Sequence, residues 1–317
     1  MEPDASNSLP YRNWLELPNE VTATILQKVG VADILNNVQL VCTTWRSLFK
    51  DPSMWRYLDL QLPRGSDSGF DVEKMARHAV DRSCGQLVDV NIAYFATTKF
   101  ILYLARRSRQ LRRLRIASCR DMSEEVLEGA ASKFPMLEEL ELKSIPLTMT
   151  AIEAFGEHCP KLATFKCNFC GFIPRNSWYD GLAEVIVTTM PQLCHLQLLG
   201  DRITNSGLKS ILNGCPHLET LDLRGCHLID LKVENVGEVC SARYKKVRFP
   251  AEHIEADEYG GAKRRSPSDS SFDNYSLAEG SDGSFDSDGD SYFYNDMSDE
   301  DDDLDEDDSF DDDHDDE

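Results

Sequence analysis

A hydrophobic pattern repeats through the middle of the chain at a nearly constant spacing. The unit is Leu-x-x-Leu-x-Leu, and its first positions follow one another after 24, 26, 25, 31, 25 and 26 residues. Six clear copies and one degenerate copy begin at Leu87, Leu111, Leu137, Leu162, Leu193, Leu218 and Tyr244. A unit this short cannot bury its apolar face alone, so neighbouring units must stack on one another.

Each unit contains the signals for one strand and one helix. The Leu-x-Leu core predicts a short strand with one buried face, and the residues between cores carry apolar positions at helical spacing. Pro135, Pro160, Pro191 and Pro216 each stand two residues before the next core and predict the end of a helix. The pattern is typical of leucine-rich repeats (LRR), which implies an α/β solenoid with parallel strands inside and helices outside. Cys119, Cys159, Cys170, Cys215 and Cys226 resemble the buried cysteines of the cysteine-containing class of these repeats.

A second dense apolar segment, residues 17–55, precedes the repeats. Pro18 opens a helical pattern that Gly30 ends, and Asp33 is placed to cap a second helix. A third helix is predicted over residues 40–48, and a strand over 55–60 that joins the segment to the repeats. Fewer than forty residues cannot bury so many apolar side chains alone, so part of this surface is expected to bind a partner.

The order of these residues resembles the F-box, a small helical module that docks on the Skp adaptor of cullin-based ubiquitin ligases. The resemblance implies that the adaptor contacts Leu17, Pro18, Ile25, Leu26, Leu35, Val41, Cys42 and Trp45. The alternative interpretation is a helical cap on a larger core. Over residues 15–250 the chain resembles plant F-box/LRR proteins, which implies a substrate receptor with no catalytic residue and no cofactor of its own.

The formal net charge of −23 is confined to one end of the chain. Residues 266–317 hold 23 Asp or Glu and no Lys or Arg, so the other 265 residues are formally neutral. A neutral body argues against a general nucleic-acid surface. The chain shows no targeting signal and no apolar run of membrane-spanning length, and its ten cysteines are interpreted as reduced thiols of a cytoplasmic or nuclear protein.

Enzymatic and metal sites have little support in the sequence. There is no glycine-rich phosphate loop, no Gly-x-Ser-x-Gly elbow and no His pair at metal spacing. The Cys167-x-x-Cys170 pair lacks a second pair to complete a zinc site, and the repeat register already explains both residues.

The polar residues between the strand leucines are predicted to line the concave face of the solenoid. The candidates for substrate binding are Arg113, Arg115, Glu139, Glu141, Lys166, His195, Gln197, Asp222 and Arg224. The register predicts Arg113 beside Glu139 and Arg115 beside Glu141, an arrangement that also stabilises strand pairing. The two interpretations, substrate contact and mutual neutralisation, stay open.

The predicted organisation has four parts. They are a disordered N-terminus at 1–12, an F-box at 13–60, a repeat array at 61–250 and a disordered acidic tail at 251–317. The period of 31 predicts a loop near residues 171–180, where Trp178 is either an anchor or core filler. The tail either solubilises the chain or contacts a basic partner.

The sequence thus predicts a substrate-recognition subunit of a Skp-cullin-F-box ubiquitin ligase. The F-box would bind the adaptor and, through it, the cullin, while the repeats would hold an unknown protein substrate. The alternative is an adaptor-binding or acidic-tail scaffold that acts outside a ligase.

Overall fold

A computed structural model of the chain describes residues 14–61, 72–119, 121–123, 125–168 and 180–254. The helices are α1 Asn19–Leu26, α2 Val31–Asn36, α3 Thr43–Leu48, α4 Val72–Arg82, α5 Thr98–Arg107, α6 Val126–Ala131, α7 Met149–His158, α8 Gly181–Thr189, α9 Asn205–Gly214 and α10 Val236–Arg243. Short 3-10 helices span Trp14–Glu16, Val38–Leu40, Pro52–Trp55 and Val233–Asn235. The strands are β1 Tyr57–Gln61, β2 Asp89–Ala93, β3 Arg113–Ala117, β4 Glu139–Lys143, β5 Thr164–Asn168, β6 His195–Leu199, β7 Thr220–Asp222 and β8 Lys246–Arg248.

The strands form one parallel sheet in which each strand pairs with the next in chain order. The register places Leu114 beside Leu140 and Phe165 beside Leu196, so the second leucine of each repeat forms a buried column across the sheet. Helices connect successive strands and cover the apolar side of the sheet. The predicted solenoid, with parallel strands inside and helices outside, is confirmed, including the degenerate last unit, which forms β8.

Helix ends in the array are set by local side chains. The hydroxyls of Thr97, Thr148 and Thr204 accept backbone N–H bonds at the starts of α5, α7 and α9. Helices α6 to α9 each end before the proline that the sequence placed there.

The turns after β2, β3, β4, β6 and β7 each form a hydrogen bond to the next repeat. Tyr94, Ser118, Ser144, Gly200 and Gly225 have positive φ angles between 49° and 79°. Their backbone N–H groups donate to the following strand or turn, for example Tyr94 to the carbonyl of Ala117 and Gly225 to that of Pro250. This geometry ties consecutive repeats together at the same edge of the sheet.

The F-box segment is helical as predicted, with local differences. The first helix ends at Leu26, four residues before the predicted stop at Gly30. Gly30, not Asp33, is the N-cap of α2, and the Asp33 carboxylate makes no cap bond. The predicted third helix divides into a 3-10 turn and α3, because the Cys42 sulfur caps α3 by accepting from the N–H of Trp45 at 3.4 Å. Trp55 belongs to a 3-10 helix, so β1 begins at Tyr57.

Several predicted segments lie outside the described residues. They are the N-terminus at 1–12, most of the loop at 171–180 with Trp178, Cys170, and the acidic tail from residue 255 onward. The described chain continues past the predicted array end at 250 to Ile254, which is buried.

No helix in the described part of the chain is long and apolar enough to cross a membrane.

Candidate functional site

The F-box exposes a set of large apolar side chains that its own fold leaves uncovered. Val21 and Ile25 lie four residues apart on one side of α1, and Leu17 precedes the start of this helix by two residues. Thr22 and Leu26, the next residue along in each case, are the buried residues of the helix. We define the apolar F-box surface as Trp14, Leu17, Val21, Ile25, Leu40 and Val41, whose exposed fractions run from 36% to 66%.

The predicted adaptor-binding residues divide into two groups. Pro18 is exposed with Leu17, Ile25 and Val41, and Cys42 and Trp45 are half-buried. Leu26 and Leu35 were predicted to contact the adaptor, but they are 3% and 9% exposed and pack in the hydrophobic core. Both are corrected to core residues, because the same helices must also hold the F-box on the array.

Trp14, Val21 and Leu40 belong to the apolar F-box surface, although the sequence did not predict them as part of it. Val21 was detectable, since it stands midway between Leu17 and Ile25 in the four-residue series. Trp14 stacks edge-on against Trp45 with ring centroids 6.3 Å apart, and this contact between separate elements has no local signal.

The F-box is anchored to the first repeats by aromatic and polar contacts. The Trp55 ring is buried, donates to the Phe49 carbonyl at 2.9 Å, and is covered by the Arg82 guanidinium of α4 at 5.2 Å from the ring centroid. Arg82 also donates to the Gln39 side chain at 3.1 Å. Burial, reinforced by the charge of Arg46, lowers the pKa of Arg82. These contacts set the direction in which the apolar F-box surface faces.

The concave face begins with an acidic residue shared by two arginines. Register positions Arg113–Glu139 and Arg115–Glu141 are as predicted. The ion pairs instead run toward β2, where Asp89 accepts from Arg113 at 2.7 Å and from Arg115 at 2.8 Å. The hydrogen bond to Asp89 raises the pKa of Arg113. Both predicted substrate-binding arginines are therefore already engaged within the sheet.

The next strands neutralise one another in the same way. Lys166 on β5 donates to Glu139 at 2.5 Å and lies 3.7 Å from Glu141, which also pairs with Lys143 at 3.4 Å. From β2 to β5 the charged residues of the concave face are thus paired with one another within the sheet.

Arg224 departs most from its prediction. Arg224 follows β7, and its side chain is 3% exposed. Its guanidinium donates hydrogen bonds to the Asp222 carboxylate from Nε at 2.9 Å and from Nη2 at 2.7 Å. A third nitrogen donates to the His253 carbonyl at 2.9 Å. Arg224 was predicted to bind substrate; buried and saturated by these acceptors, it is corrected to a structural residue, and Asp222 is largely buried with it.

A cavity of about 290 Å³ opens on the concave face at the C-terminal end of the sheet. We call it the β5–β8 pocket; it is lined by Lys166, His195, Leu196, Gln197, Thr220, Leu221, Asp222, Lys246 and Arg248. Its lining thus contains Lys166, His195, Gln197 and Asp222 from the predicted face. Lys246 and Arg248 were missed, because the degenerate seventh repeat hid which of its residues alternate outward.

The buried cysteines are packing residues. Burial raises the pKa of the Cys159 and Cys226 thiols to about 12, and the Cys226 sulfur donates to the Leu198 carbonyl at 3.0 Å. Cys167 is buried, while Cys170, the other cysteine of the Cys-x-x-Cys sequence, lies outside the described residues. No cluster of three or more His, Cys, Asp or Glu side chains placed to hold a metal occurs among the described residues.

Comparison with known proteins agrees with this architecture. An F-box-like family profile matches residues 14–61. Putative F-box/LRR-repeat protein 23 of Arabidopsis thaliana is 43% identical over 78% of this chain, which spans only 56% of that protein. F-box protein SKIP19 of Arabidopsis thaliana is 40% identical over 85% of this chain and 87% of its own length. Putative F-box/LRR-repeat protein 9 of the same plant is 38% identical over 75% of this chain and 96% of its own length. Because these relatives match across both the helical module and the repeats, the chain belongs to the F-box/LRR-repeat family.

Proposed function

We propose that this chain is the substrate-recognition subunit of a Skp-cullin-F-box ubiquitin ligase. The F-box binds a Skp-type adaptor, which links it to the cullin, and the repeat array holds a protein substrate. The observation that carries the proposal is the apolar F-box surface. Six large apolar side chains exposed on one small module of a folded chain are typical of a binding surface and unfavourable in water.

The position of this surface supports the proposal. Arg82 and Trp55 fix the F-box on the first repeats, so an adaptor bound to α1 stands in a defined place relative to the concave face. The ligase chemistry belongs to other subunits, and this chain contributes proximity by holding the substrate near them.

Binding of a Skp adaptor by purified variants tests the proposal. Val21→Asp combined with Ile25→Asp places two charges on the exposed side of α1, where the two side chains are 44% and 37% exposed. We expect adaptor affinity to fall at least a hundredfold, since each buried aliphatic contact contributes roughly 1.5–3 kcal/mol.

The matched control is Leu228→Asp combined with Val239→Asp, two residues of the array that are 44% and 47% exposed. It adds the same charges and removes similar side chains, and adaptor affinity should stay within twofold of the unaltered chain. If the α1 variant binds the adaptor as tightly as this control, the proposed function is wrong.

A further inference from the structure

We propose that a cavity between the F-box and the first strands binds a lysine or arginine side chain of the substrate protein, with the Asp59 carboxylate as its ion partner. This inference rests on the proposed function, because it assigns a chemical class to one contact of the substrate. The cavity has a volume of about 310 Å³ and lies where the α1–α2 turn, α2 and the 3-10 helix Pro52–Trp55 meet β1, β2 and β3. We call it the junction pocket.

The carboxylates of the concave face differ in whether a cation already binds them. Asp89, Glu139, Glu141 and Asp222 each pair with an arginine or a lysine, at 2.7, 2.5, 3.4 and 2.7 Å respectively. A substrate cation would have to displace these partners. Asp59 on β1 is exposed and forms no ion pair with any residue in the described ranges. Among the described strands, Asp59 therefore carries the one concave-face carboxylate that is open to a cation.

The Asp59 carboxylate is held by neutral donors at one oxygen. Its Oδ1 accepts from the Asn91 side-chain amide and from the Gln61 N–H, both at 3.3 Å. No donor of the described part of the chain reaches its Oδ2. The two contacts orient the carboxylate and leave one oxygen for a charge-assisted hydrogen bond, which is roughly twice as strong as a neutral one.

Two cations also line the junction pocket, and they differ in their partners. The Arg115 guanidinium donates to both oxygens of Asp89, at 2.8 and 2.9 Å, so it is committed within the sheet. Lys28, in the α1–α2 turn, is exposed and pairs with no acid that the structure describes. With two acids and two bases the lining is formally neutral, so a preference for a cation must come from direct contact with Asp59.

The rest of the lining is mainly apolar and comes mostly from the F-box. Its buried members are Val31, Ile34, Met54, Trp55 and Leu58. Tyr57 stands two residues before Asp59 on the same face of β1, and its aromatic side chain is 54% exposed. The junction pocket thus combines an apolar surface, an aromatic ring and one open carboxylate.

A lysine or arginine side chain matches this combination. Its methylene stem packs on apolar surface while its charged head stays among polar groups, and the face of an aromatic ring attracts that head. A small inorganic cation has no stem for the apolar lining. A volume of about 310 Å³ is at the lower end of the roughly 300–1,000 Å³ of ligand sites, so the pocket takes one side chain rather than a folded segment.

Gly30 offers a way to close the pocket without changing a charge. It lines the pocket at the N-cap of α2 with φ −62° and ψ 148°, a conformation open to any residue, and a Cβ atom there would have no neighbour within 4 Å. Gly30→Phe therefore places an aromatic side chain in this space. The matched control is Gly129→Phe on α6, where an added Cβ also has no neighbour within 4 Å and which lies outside the pocket lining.

The first experiment selects short peptides of random sequence, displayed on phage, on the full chain. Peptides that also bind the Gly30→Phe variant are removed, whereas removal on Gly129→Phe serves as the control and should deplete every binder. We expect the peptides retained after the Gly30→Phe step to share a lysine or arginine at one position. No retained peptide, or retained peptides without a shared basic residue, would overturn the inference.

Fluorescence anisotropy with a retained peptide then tests the ion pair. Replacing the shared basic residue of the peptide by glutamine is expected to lower its affinity for the full chain at least tenfold. For the Asp59→Asn variant the same replacement should change affinity less than twofold, because the partner charge is gone. An Asp59→Asn variant that still distinguishes the two peptides tenfold would show that this carboxylate is not the ion partner.

Asp230→Asn is the matched control for the carboxylate. Asp230 is exposed, forms no ion pair among the described residues, and accepts at Oδ1 from the N–H two residues later, as Asp59 does. It lies outside the pocket lining. This variant should distinguish the two peptides as strongly as the unaltered chain, and an equal loss in both variants would assign the effect to net charge and contradict the pocket.

Lys28→Gln checks the sign of the ligand's charge. Removing an ammonium group that repels a cation should leave the affinity for the basic peptide unchanged or raise it up to threefold. A loss of affinity would show that the ligand uses Lys28 through an acidic group, against the inference.

Adaptor binding and the circular dichroism spectrum are measured on every variant. If Gly30→Phe loses its folded spectrum, Gly30→Leu takes its place in the selection. Loss of peptide binding with adaptor binding and spectrum intact concerns the junction pocket alone. Failure of the adaptor to bind the unaltered chain concerns the proposed function.

Discussion

At the scale of single residues, the array contains one buried acid whose charge the fold disfavours. Asp201 follows β6 and is 8% exposed, and its carboxylate accepts from the Ile203 N–H at 2.8 Å. Burial, with a further contribution from the nearby charge of Asp180, raises its pKa from 3.8 to about 6. The folded chain therefore holds this proton more tightly than the unfolded chain does. The resulting stabilisation is complete below about pH 4 and is lost as the pH rises through 6.

Asp201→Asn tests this linkage, because the amide oxygen can still accept from Ile203 but carries no charge to desolvate. The shift corresponds to roughly 2–3 kcal/mol at 1.4 kcal/mol per pKa unit. We expect the variant, relative to the unaltered chain, to be about 2 kcal/mol more stable at pH 7.5 than at pH 4.5 in urea unfolding. A stability difference that is the same at both pH values would contradict this assignment.

At the scale of elements, the spacing of the outer helices depends on where glycine allows close approach. A Cβ atom added at Gly156 of α7 would lie 2.0 Å from the Thr189 hydroxyl oxygen and 2.4 Å from its Cβ, on α8. At Gly129 of α6 a Cβ would have no neighbour within 4 Å. The strands were predictable because their leucines repeat at a fixed period. The close approach of α7 to α8 was not predictable, because it depends on the contact between Gly156 and Thr189, which lie 33 positions apart in the sequence.

Gly156→Ala and Gly129→Ala form a matched pair on this point. Ala at position 156 must displace the Thr189 side chain, so we expect a loss of about 1–3 kcal/mol in the free energy of unfolding. Ala at position 129 meets no atoms and gains helix propensity, so stability should rise by roughly 0.5–1 kcal/mol. Chemical denaturation measures both, and a destabilised Gly129→Ala variant would show that propensity does not govern that site.

At the scale of the whole described body, the F-box and the array are joined by a shared hydrophobic core and by the contacts of Arg82 with Trp55 and Gln39. The sequence predicted both parts and their order, since each has its own pattern of apolar residues. It did not predict which F-box leucines face inward. Leu26 and Leu35 belong to the hydrophobic core of the folded chain, and α2, which carries Leu35, contacts α4 and β1. Arg224 shows the same limit, since its burial depends on the His253 carbonyl 29 residues later.

Arg82→Ala should loosen the F-box while leaving the middle of the array unchanged. Removing the guanidinium eliminates its contact with Trp55 and its hydrogen bond to Gln39, together contributing about 1–2 kcal/mol. Amide hydrogen exchange should become about 5- to 30-fold faster over residues 31–49, with no change over residues 139–168. Arg106→Ala, which removes an exposed arginine from α5, is the control; equal exchange in the two variants would show that Arg82 does not couple the two parts.

Arg224 donates a hydrogen bond to the His253 carbonyl, after β8, and this contact limits where the array can be truncated before it is fused to another protein. Truncation directly after Arg248 would keep every leucine of the repeat pattern. It would also remove the carbonyls of Pro250 and His253, the acceptors for the N–H of Gly225 and for the guanidinium of Arg224. Each donor left unsatisfied costs roughly 1–3 kcal/mol. A transplantable array therefore extends at least to Ile254, because the carbonyls of Pro250 and His253, rather than the last leucine, complete the final repeat.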